Sequence, residues 1–295
     1  MSDILEIKKR QAERREKRRL KRRRVFFSTL SILVIILLII IFAKSCTNSG
    51  TTPANSNEVN SNEPQFVNDV VFPEVPEQTA DLLSAIDKKD GIKTCYLTFD
   101  DGPTNSVTTR VLDILREYNA KATFFTVGTL LEANPDTARR LYEEGHFIAN
   151  HSYSHDYSDI YANGEDFMSE INKTAEIIKK ITGDDNYPMI FRFPGGGYNS
   201  GKYGEAKQSY KKLLKEKGIR YCDWNALSGD AEGGTPTKEE LVSRVKKTTS
   251  GKEDVVILMH DAAAKSVAAD ALPDILKYLI SEGYTFKTLN NAPRV

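Results

Sequence analysis

Cysteine is scarce in this chain, which has only Cys46, Cys95 and Cys222 among its 295 residues. The odd number leaves at least one thiol unpaired, and no spacing among the three resembles a cysteine metal site. Cys95 and Cys222 fall in segments that we predict to be strands. A disulfide between them stays open, but their spacing gives it no support, and we expect both to be buried free thiols.

Nucleotide-binding motifs are also missing, since the sequence contains neither a Gly-x-Gly-x-x-Gly fingerprint nor a phosphate-binding loop. Internal repeats are absent as well. The composition, with 40% hydrophobic and 28% charged residues, is ordinary for a globular protein. We therefore expect no nucleotide cofactor, and one large domain with attached segments.

The net charge of zero conceals a strong asymmetry. Residues 1–24 form a basic arm with a net charge of +8, which leaves −8 for the rest of the chain. Such an arm could bind nucleic acid, but residues 25–43 follow it directly and contain no charged residue. These 19 residues would form a helix roughly 28 Å long, close to the thickness of a bilayer core. We therefore predict a transmembrane helix over residues 25–43 and no nucleic-acid partner.

The lysines and arginines before this helix predict its orientation, with the basic arm in the cytoplasm and the rest of the chain outside the cell. The predicted location is thus the cell membrane, with a single pass. A cleaved signal peptide is the main alternative, although its apolar region would normally have only about 7–15 residues. A lipoprotein anchor at Cys46 and a buried core helix are weaker alternatives, because Lys44 does not fit a lipobox and the basic arm favours a membrane span.

Three segments are predicted to follow the membrane helix. Residues 44–65 are mostly Asn, Ser, Thr, Glu, Pro and Gly, which cannot bury enough apolar surface to fold, so we predict a disordered stalk. Residues 66–92 contain one short amphipathic piece, Thr79–Ile86, and are predicted to be a lead-in that packs loosely. Residues 93–295 are predicted to form the main domain.

In the main domain, short apolar runs alternate with longer amphipathic runs. This alternation predicts an α/β fold with a parallel sheet, and seven strands allow a barrel, open or closed. We predict a distorted (β/α)7-type barrel. Thr237 and Glu240 have the spacing of a capping box. The predicted strands are Thr94–Phe99, Ala122–Val127, Phe147–Asn150, Ile190–Phe193, Ile219–Asp223, Val255–Met259 and Thr285–Leu289. The predicted helices are Val107–Tyr118, Pro135–Glu144, Asp166–Thr182, Tyr203–Lys217, Lys238–Thr249 and Leu272–Glu282.

Two adjacent carboxylates, Asp100 and Asp101, follow the first predicted strand. Neighbouring carboxylates repel each other unless a cation or a proton lies between them, although an Asp-Asp-Gly-Pro turn can also be merely solvated. His151 and His155 follow another predicted strand, and their spacing on a helical turn would place both imidazoles on one face. Two imidazoles and one carboxylate are a familiar ligand set for a divalent metal ion.

Residues 93–295 resemble a polysaccharide deacetylase of the NodB-homology type, carbohydrate esterase family 4, of the membrane-anchored bacterial kind. The resemblance implies that Asp100 is the general base, that Arg192 holds Asp100, and that His260 is the general acid. It also implies that Asp101, His151 and His155 bind the metal ion. It rests on five motifs in the family's order: Thr98-Phe99-Asp100-Asp101-Gly102-Pro103, His151-Ser152-Tyr153-Ser154-His155, Arg192-Phe193-Pro194-Gly195, a fourth around Asp230, and Leu258-Met259-His260.

The fourth motif departs from the family's pattern. The family's Asp-x-x-Asp-Trp corresponds to Leu227-Ser228-Gly229-Asp230-Ala231, in which only Asp230 remains. The resemblance implies that Asp230 orients and charges His260, but Asp223, which precedes Trp224, is a rival in another alignment. The sequence therefore leaves the shape of one wall of the groove undecided.

The third motif departs as well, because Gly195 replaces the tyrosine that usually follows Arg-x-Pro. The replacement removes an aromatic side chain from the groove but keeps a backbone N–H that can bind an oxyanion. We predict oxyanion or substrate contacts at Pro194 and Gly195. Trp224 and Tyr198 are candidates for stacking on sugar rings, although either could equally be a core residue.

The resemblance implies a hydrolase that removes N-acetyl groups from a cell-wall glycan, with peptidoglycan as the leading substrate. The expected cofactor is one divalent metal ion, with zinc as the default and cobalt or manganese as alternatives. Alternative functions are a deacetylase or esterase of poly-N-acetylglucosamine, chitin or xylan, and an inactive carbohydrate-binding domain. The intact base, ligands and acid favour an enzyme.

Overall fold

The computed structural model describes residues 81–86 and 90–292. The predicted basic arm, membrane helix and stalk, most of the lead-in and Cys46 lie outside these residues. In the part of the chain that is described, no helix is long and apolar enough to cross a membrane.

Eight parallel strands form one sheet in the described part of the chain. The strands are β1 (Thr94–Gly102), β2 (Ala122–Thr126), β3 (Phe147–Asn150), β4 (Ile190–Phe191), β5 (Arg220–Tyr221), β6 (Ala226–Leu227), β7 (Asp254–His260) and β8 (Thr285–Phe286). Their order is β5-β4-β3-β2-β1-β7-β6, and β8 pairs with β1. The path is open, since no pairing joins β5 to β6 among the described residues, and the sheet curls into an incomplete barrel.

Helices connect most of the strands, as parallel pairing requires. The helix Lys238–Thr249 begins with the predicted capping box, in which the side chains of Thr237 and Glu240 each accept from the backbone N–H of the other. The helices are α1 (Leu82–Ile86), α2 (Thr108–Glu117), α3 (Gly128–Ala133), α4 (Pro135–Glu143), α5 (Tyr157–Ile160), α6 (Gly164–Thr182), α7 (Gly204–Glu216), α8 (Lys238–Thr249) and α9 (Ser266–Ser281), and a 3-10 helix covers Leu289–Asn291.

Strand β1 lies near the centre of the sheet, and its apolar side chains are part of the hydrophobic core. It pairs with β7 from Thr94 to Asp100 and with β2 on the other side, where β8 adds a short pairing at the start of β1. Cys95, Leu97 and Phe99 are fully buried, as expected for a parallel strand covered on both faces. The core therefore holds the end of β1, with its two carboxylates, in a fixed position.

The prediction of a parallel α/β fold is confirmed, but the number of strands is wrong. The eighth strand, β6, has only two residues, which is too short for its pattern to be recognised. The predicted last strand ends at Phe286, and the chain turns into the 3-10 helix instead of continuing to Leu289. Helix α9 begins six residues earlier than predicted and contains Pro273.

Two further predictions concern packing. Cys95 and Cys222 are buried free thiols, as expected. In the described end of the predicted lead-in, Leu82 and Ile86 of α1 are buried in the core, and Asp81 forms a bridge with Tyr221 of β5. This contact covers one edge of the sheet.

Candidate metal centre and active site

The motif residues meet where the strands end. Asp100 is near the end of β1, His151 and Arg192 follow β3 and β4, and His260 ends β7. Because all pairing is parallel, these ends share one edge of the sheet, where α/β proteins place their ligands. Asp100 and His260 are directly opposite each other in the β1–β7 pairing.

A bulge lets both carboxylates of β1 reach this edge. Successive residues of a regular strand point to opposite faces, but the pairing with β2 shifts between Asp100 and Gly102 and leaves Asp101 out. Asp101 adopts a left-handed φ of +72°, as one residue of a bulge often does. The two neighbouring acids therefore lie beside the same histidines.

The Gly102-Pro103 part of the motif is fixed by a buried acid. A side chain at Gly102 would collide with the carboxyl of Asp261. The Asp261 carboxyl accepts a hydrogen bond from Thr108 Oγ1 at 2.6 Å, and the Asp261 N–H donates to the Asp100 carbonyl at 3.0 Å. Burial raises the pKa of the Asp261 carboxyl to about 7. Gly102 is thus required by the close approach of β7 to the turn.

Asp101, His151 and His155 form the one cluster of potential metal ligands found among the described residues, with donor atoms within 4.8 Å of one another. Asp101 Oδ1 lies 3.5 Å from His151 Nε2 and 3.1 Å from His155 Nε2. All three predicted ligands are therefore brought together.

The protonation of these groups fits a metal ion. The Nδ1 atom of His151 bonds to the Arg192 carbonyl at 2.8 Å, and since a carbonyl only accepts, Nδ1 carries the proton and Nε2 keeps its lone pair. Burial lowers the pKa of His151 to about 4, despite the nearby Asp100 carboxylate. Burial alone would raise the pKa of Asp101, but the hydrogen bond to His155 and the neighbouring imidazoles outweigh it and hold that pKa below its usual range. A neutral imidazole and an ionised carboxylate are the forms that bind metal ions.

The histidine motif is not a helical turn, so that part of the prediction is wrong. Residues 151–156 are irregular, and Ser152 and His155 have left-handed φ angles of +72° and +53°. The buried Glu170 carboxylate on α6 accepts from the N–H groups of Tyr153 and Ser154, at 3.0 and 2.7 Å. Because these N–H groups bond to a side chain, the loop needs no helical hydrogen bonds to satisfy them.

Arg192 is fully buried beside Asp100. Its Nη1 donates to Asp100 Oδ1 at 2.8 Å and to Thr98 Oγ1 at 2.7 Å. The Nε and Nη2 groups donate to the carbonyls of Cys222 and Asp223, and the guanidinium lies 3.9 Å from the centre of the Phe125 ring. The side chain of Arg192 therefore links the end of β1 to the segment after β5.

Asp230, not Asp223, contacts His260. Asp230 Oδ1 lies 2.9 Å from His260 Nδ1, and Oδ2 accepts from the His260 N–H at 2.8 Å. Burial by itself would lower the pKa of His260, but the hydrogen bond and charge of Asp230 outweigh it and, with Asp100 and Asp101, raise that pKa to about 9. His260 is thus an imidazolium at neutral pH.

Asp223 instead holds the glycine loop, Gly195–Gly197. Its Oδ1 accepts from the Gly197 N–H at 2.8 Å, and burial raises the pKa of this carboxyl. On the other side of the loop, the buried Lys207 donates to the Gly196 carbonyl at 2.7 Å, and Gln208 donates to the Gly197 carbonyl at 2.9 Å. These contacts fix a loop that its sequence alone would leave flexible.

A cavity of about 380 Å³ opens over these groups. Of the four predicted substrate contacts, only Gly195 and Trp224 line it. The buried Pro194 accepts from the Tyr161 hydroxyl through its carbonyl, and Tyr198 packs edge-on against Trp224 at 5.6 Å. The lining is formed by Asp100, Asp101, His151, His155, Tyr157, Gly195, Trp224, Leu227, Gly229, Asp230, Ala231, Glu232, Leu258 and His260.

The sequence did not reveal Tyr157 or Glu170. Tyr157 lies in the cavity wall and is 37% exposed, and partial burial raises the pKa of its phenol. Its position two residues after His155 was the one available signal. Glu170 gave none, because nothing in the sequence distinguishes it from the other acids of an amphipathic helix.

The chain is similar to known proteins in family, in sequence and in structure. A family model described as polysaccharide deacetylase matches residues 87–219. The chain is 34% identical over 201 residues to a peptidoglycan-N-acetylglucosamine deacetylase of Bacillus cereus, an alignment that covers 66% of this chain and 68% of that protein. It is 32% identical over 203 residues to a peptidoglycan-N-acetylmuramic acid deacetylase of Bacillus subtilis, covering 69% of this chain and 39% of that protein. The crystal structure of the catalytic domain of a peptidoglycan N-acetylglucosamine deacetylase from Eubacterium rectale matches with a TM-score of 0.64 and 34% identity, covering 71% of this chain and 94% of that one.

Proposed function

This chain belongs to the polysaccharide deacetylase family, and from that premise we propose that it hydrolyses the N-acetyl groups of peptidoglycan in a metal-dependent reaction. The observation that carries the proposal is one cavity lined by the three potential metal ligands, the buried side chain of Asp100 and the imidazole of His260. Amide hydrolysis needs these parts, because water must be activated and a poor leaving amine must be protonated.

We propose that Asp101, His151 and His155 hold one divalent ion. The fit is supported by their mixed nitrogen and oxygen donors, the free lone pair of His151 and the ionised state of Asp101. When bound, such an ion supplies Lewis acidity to water and to the acetyl carbonyl. Zinc is the default for this donor set, which also accepts cobalt or manganese.

Asp100 is the proposed general base. Its Oδ1 is bound by Arg192, while Oδ2 lies 3.8 Å from His151 Nε2, beside the potential metal ligands. Asp100 can therefore accept the proton of a water molecule at this position.

His260 is the proposed general acid, and Asp230 positions it. The imidazole reaches the cavity from the end of β7 with Nδ1 bonded to Asp230, which leaves Nε2 to donate a proton to the departing amine. Because a general acid must be protonated to act, we expect activity to fall as the pH rises through about 9, the pKa of His260.

Asp230→Asn is expected to move this alkaline limb to lower pH by about one to three units, because the carboxylate that stabilises the imidazolium is lost. The measurement is kcat for acetate release as a function of pH. Asp223→Asn is the matched control, since this acid is also buried but contacts the glycine loop. An alkaline limb at the same pH in Asp230→Asn and the wild type would contradict the assignment.

Glu170→Ala is expected to weaken metal binding by about 10- to 100-fold, as the loss of groups that orient ligands does elsewhere. Without the carboxylate, the N–H groups of Tyr153 and Ser154 lose their partner, and the loop between His151 and His155 loosens. The affinity is measured by titration calorimetry with Zn²⁺. Glu176→Ala is the control, because Glu176 is an exposed acid on the same helix. Equal affinities in the two variants would refute this role.

Peptidoglycan is the substrate that we favour, because relatives acting on either of its two N-acetylated sugars share about a third of their aligned residues with this chain. The half-buried Trp224 in the cavity wall, with Tyr198 beside it, offers an aromatic surface of the kind that stacks on sugar rings. Residues 25–43 are proposed to anchor the protein in the cell membrane with residues 44–295 outside, close to the wall. That proposal rests on the sequence.

The proposed function is tested by incubating the purified protein with peptidoglycan and, in parallel, with N-acetylglucosamine oligomers. We expect acetate and free amino sugars from peptidoglycan, and mass spectrometry of the digested polymer identifies which sugar lost its acetyl group. Acetate from the oligomers alone would move the substrate to another N-acetylated polymer. Glycan binding without acetate from either would favour a binding domain.

A further inference from the structure

Several hydrogen-bond donors in the cavity wall have no partner among the described residues, and two of them, the Gly195 N–H and the Tyr157 hydroxyl, lie next to each other. The neighbouring N–H groups of the glycine loop are both occupied, since Gly196 donates to the Phe193 carbonyl and Gly197 to Asp223. A donor left without a protein partner in a fixed loop loses its hydrogen bond unless water or a ligand accepts it. The two donors therefore identify where an acceptor from the substrate can bind.

The two donors are close enough to bind one oxygen atom. A Cβ added to Gly195 would lie 2.7 Å from the Tyr157 hydroxyl oxygen. Because a Cβ lies about 2.5 Å from its own backbone nitrogen, the phenol oxygen is at most about 5 Å from the Gly195 nitrogen. Donors that share one acceptor, each at about 2.7–3.0 Å, can be up to about 6 Å apart.

Tyr157 also occupies the space that a side chain at position 195 would need. Gly195 has a left-handed φ of +73° and no Cβ, and the phenol fills the position next to it. The Tyr157 ring is held edge-on by His155 at 5.7 Å and by Tyr161 at 5.8 Å. Tyr157 of helix α5 thus places an aromatic side chain in the part of the groove where Gly195 has none.

We propose that the Tyr157 hydroxyl donates a second hydrogen bond to the acetyl oxygen, beside the Gly195 N–H, as negative charge develops on that oxygen. The inference rests on the proposed deacetylase function. In the step, Asp100 takes a proton from water as the water oxygen bonds to the acetyl carbon, and the carbonyl π electrons move to the acetyl oxygen. When the oxyanion collapses, the C–N bond breaks and the amine takes its proton from His260. Tyr157 keeps its proton throughout.

Tyr157→Phe removes the hydroxyl and keeps the ring. We expect kcat to fall by roughly 100-fold, as after loss of one oxyanion donor in other enzymes, with KM within about threefold of the wild type. A methylphosphonamidate analogue of the N-acetyl group has tetrahedral oxygens, so its Ki is expected to rise by about the same factor as kcat falls. Tyr142→Phe is the control, because Tyr142 is also 37% exposed and edge-on to another ring, outside the cavity.

Three outcomes overturn the inference. If the wild type is active and Tyr157→Phe has the same kcat, the hydroxyl takes no part in the reaction, and the proposed function is unaffected. An increase in KM at constant kcat assigns the hydroxyl to binding of the sugar instead. If the wild-type protein releases no acetate, the proposed function and the inference are both wrong.

The close approach of the two residues has a test that does not depend on activity. Gly195→Ala is expected to lower the melting temperature less in the Tyr157→Phe background than in the wild type, because the new methyl group no longer meets a hydroxyl oxygen at 2.7 Å. The left-handed φ adds the same strain in both backgrounds. Equal decreases in melting temperature would contradict the placement of Tyr157.

Discussion

Asp100→Asn is expected to lower the rate of acetate release by about 10²- to 10⁴-fold, the usual contribution of a general base. The amide has nearly the shape of the carboxylate and keeps an oxygen for the bond from Arg192, but it cannot take a proton from water. Asp100 is not one of the three potential metal ligands, so the metal content is expected to stay the same. The measurements are kcat for acetate release and metal content by atomic absorption.

The control for this variant is Asp223→Asn. Both acids are buried and close to Arg192, but the guanidinium bonds to the side chain of Asp100 and to the backbone carbonyl of Asp223. Asp223→Asn keeps an oxygen that can accept from the Gly197 N–H, so we expect its activity to stay within about tenfold of the wild type. If Asp100→Asn retained more than a tenth of the wild-type rate, Asp100 would not be the base.

Arg192→Met is expected to destabilise the fold by about 3–5 kcal/mol, because it leaves a buried carboxylate without its partner. The Thr98 hydroxyl and the carbonyls of Cys222 and Asp223 lose a donor as well. For a domain of this size the loss corresponds to a decrease in melting temperature of about 6–20 °C. The free energy of unfolding in urea gives the direct measurement.

Arg140→Met is the matched control. Arg140 pairs with Asp113 and Glu144, but its side chain is 28% exposed where that of Arg192 is buried. Partly exposed ion pairs contribute about 1 kcal/mol or less. If the two variants lost similar amounts of unfolding free energy, the burial of Arg192 would add nothing to its contribution to stability. That result would contradict its role as the anchor of β1.

The sequence predicted the long strands well, because β1 and β7 are runs of apolar and β-branched residues that need no context. It missed β6, whose two residues are a strand only because β7 lies beside them. It also began α9 too late, since the Pro273 inside that helix and the alanines before it resemble a loop. Short elements depend on their neighbours, which a local pattern does not contain.

In the site, too, some features could be predicted from local sequence and others depend on neighbouring elements. The spacing of Asp100, Asp101 and the two histidines predicted which groups meet, although the histidine loop is irregular and not helical. Between Asp230 and Asp223 the sequence could not decide, because both precede the histidine by tens of residues and only the pairing of β6 with β7 places one of them against it. Tyr157 lies on α5 and Glu170 on α6, outside the five motifs, so only the closeness of Tyr157 to His155 in the sequence gave a signal.

The most direct test of metal-dependent deacetylation is acetate release from peptidoglycan by metal-free protein, before and after one equivalent of Zn²⁺ is restored. We predict almost no acetate without metal, recovery that saturates at one ion per chain, and no recovery in His155→Ala. Full activity in protein shown to be free of metal, or full recovery in His155→Ala, would contradict the proposal that Asp101, His151 and His155 hold the catalytic ion.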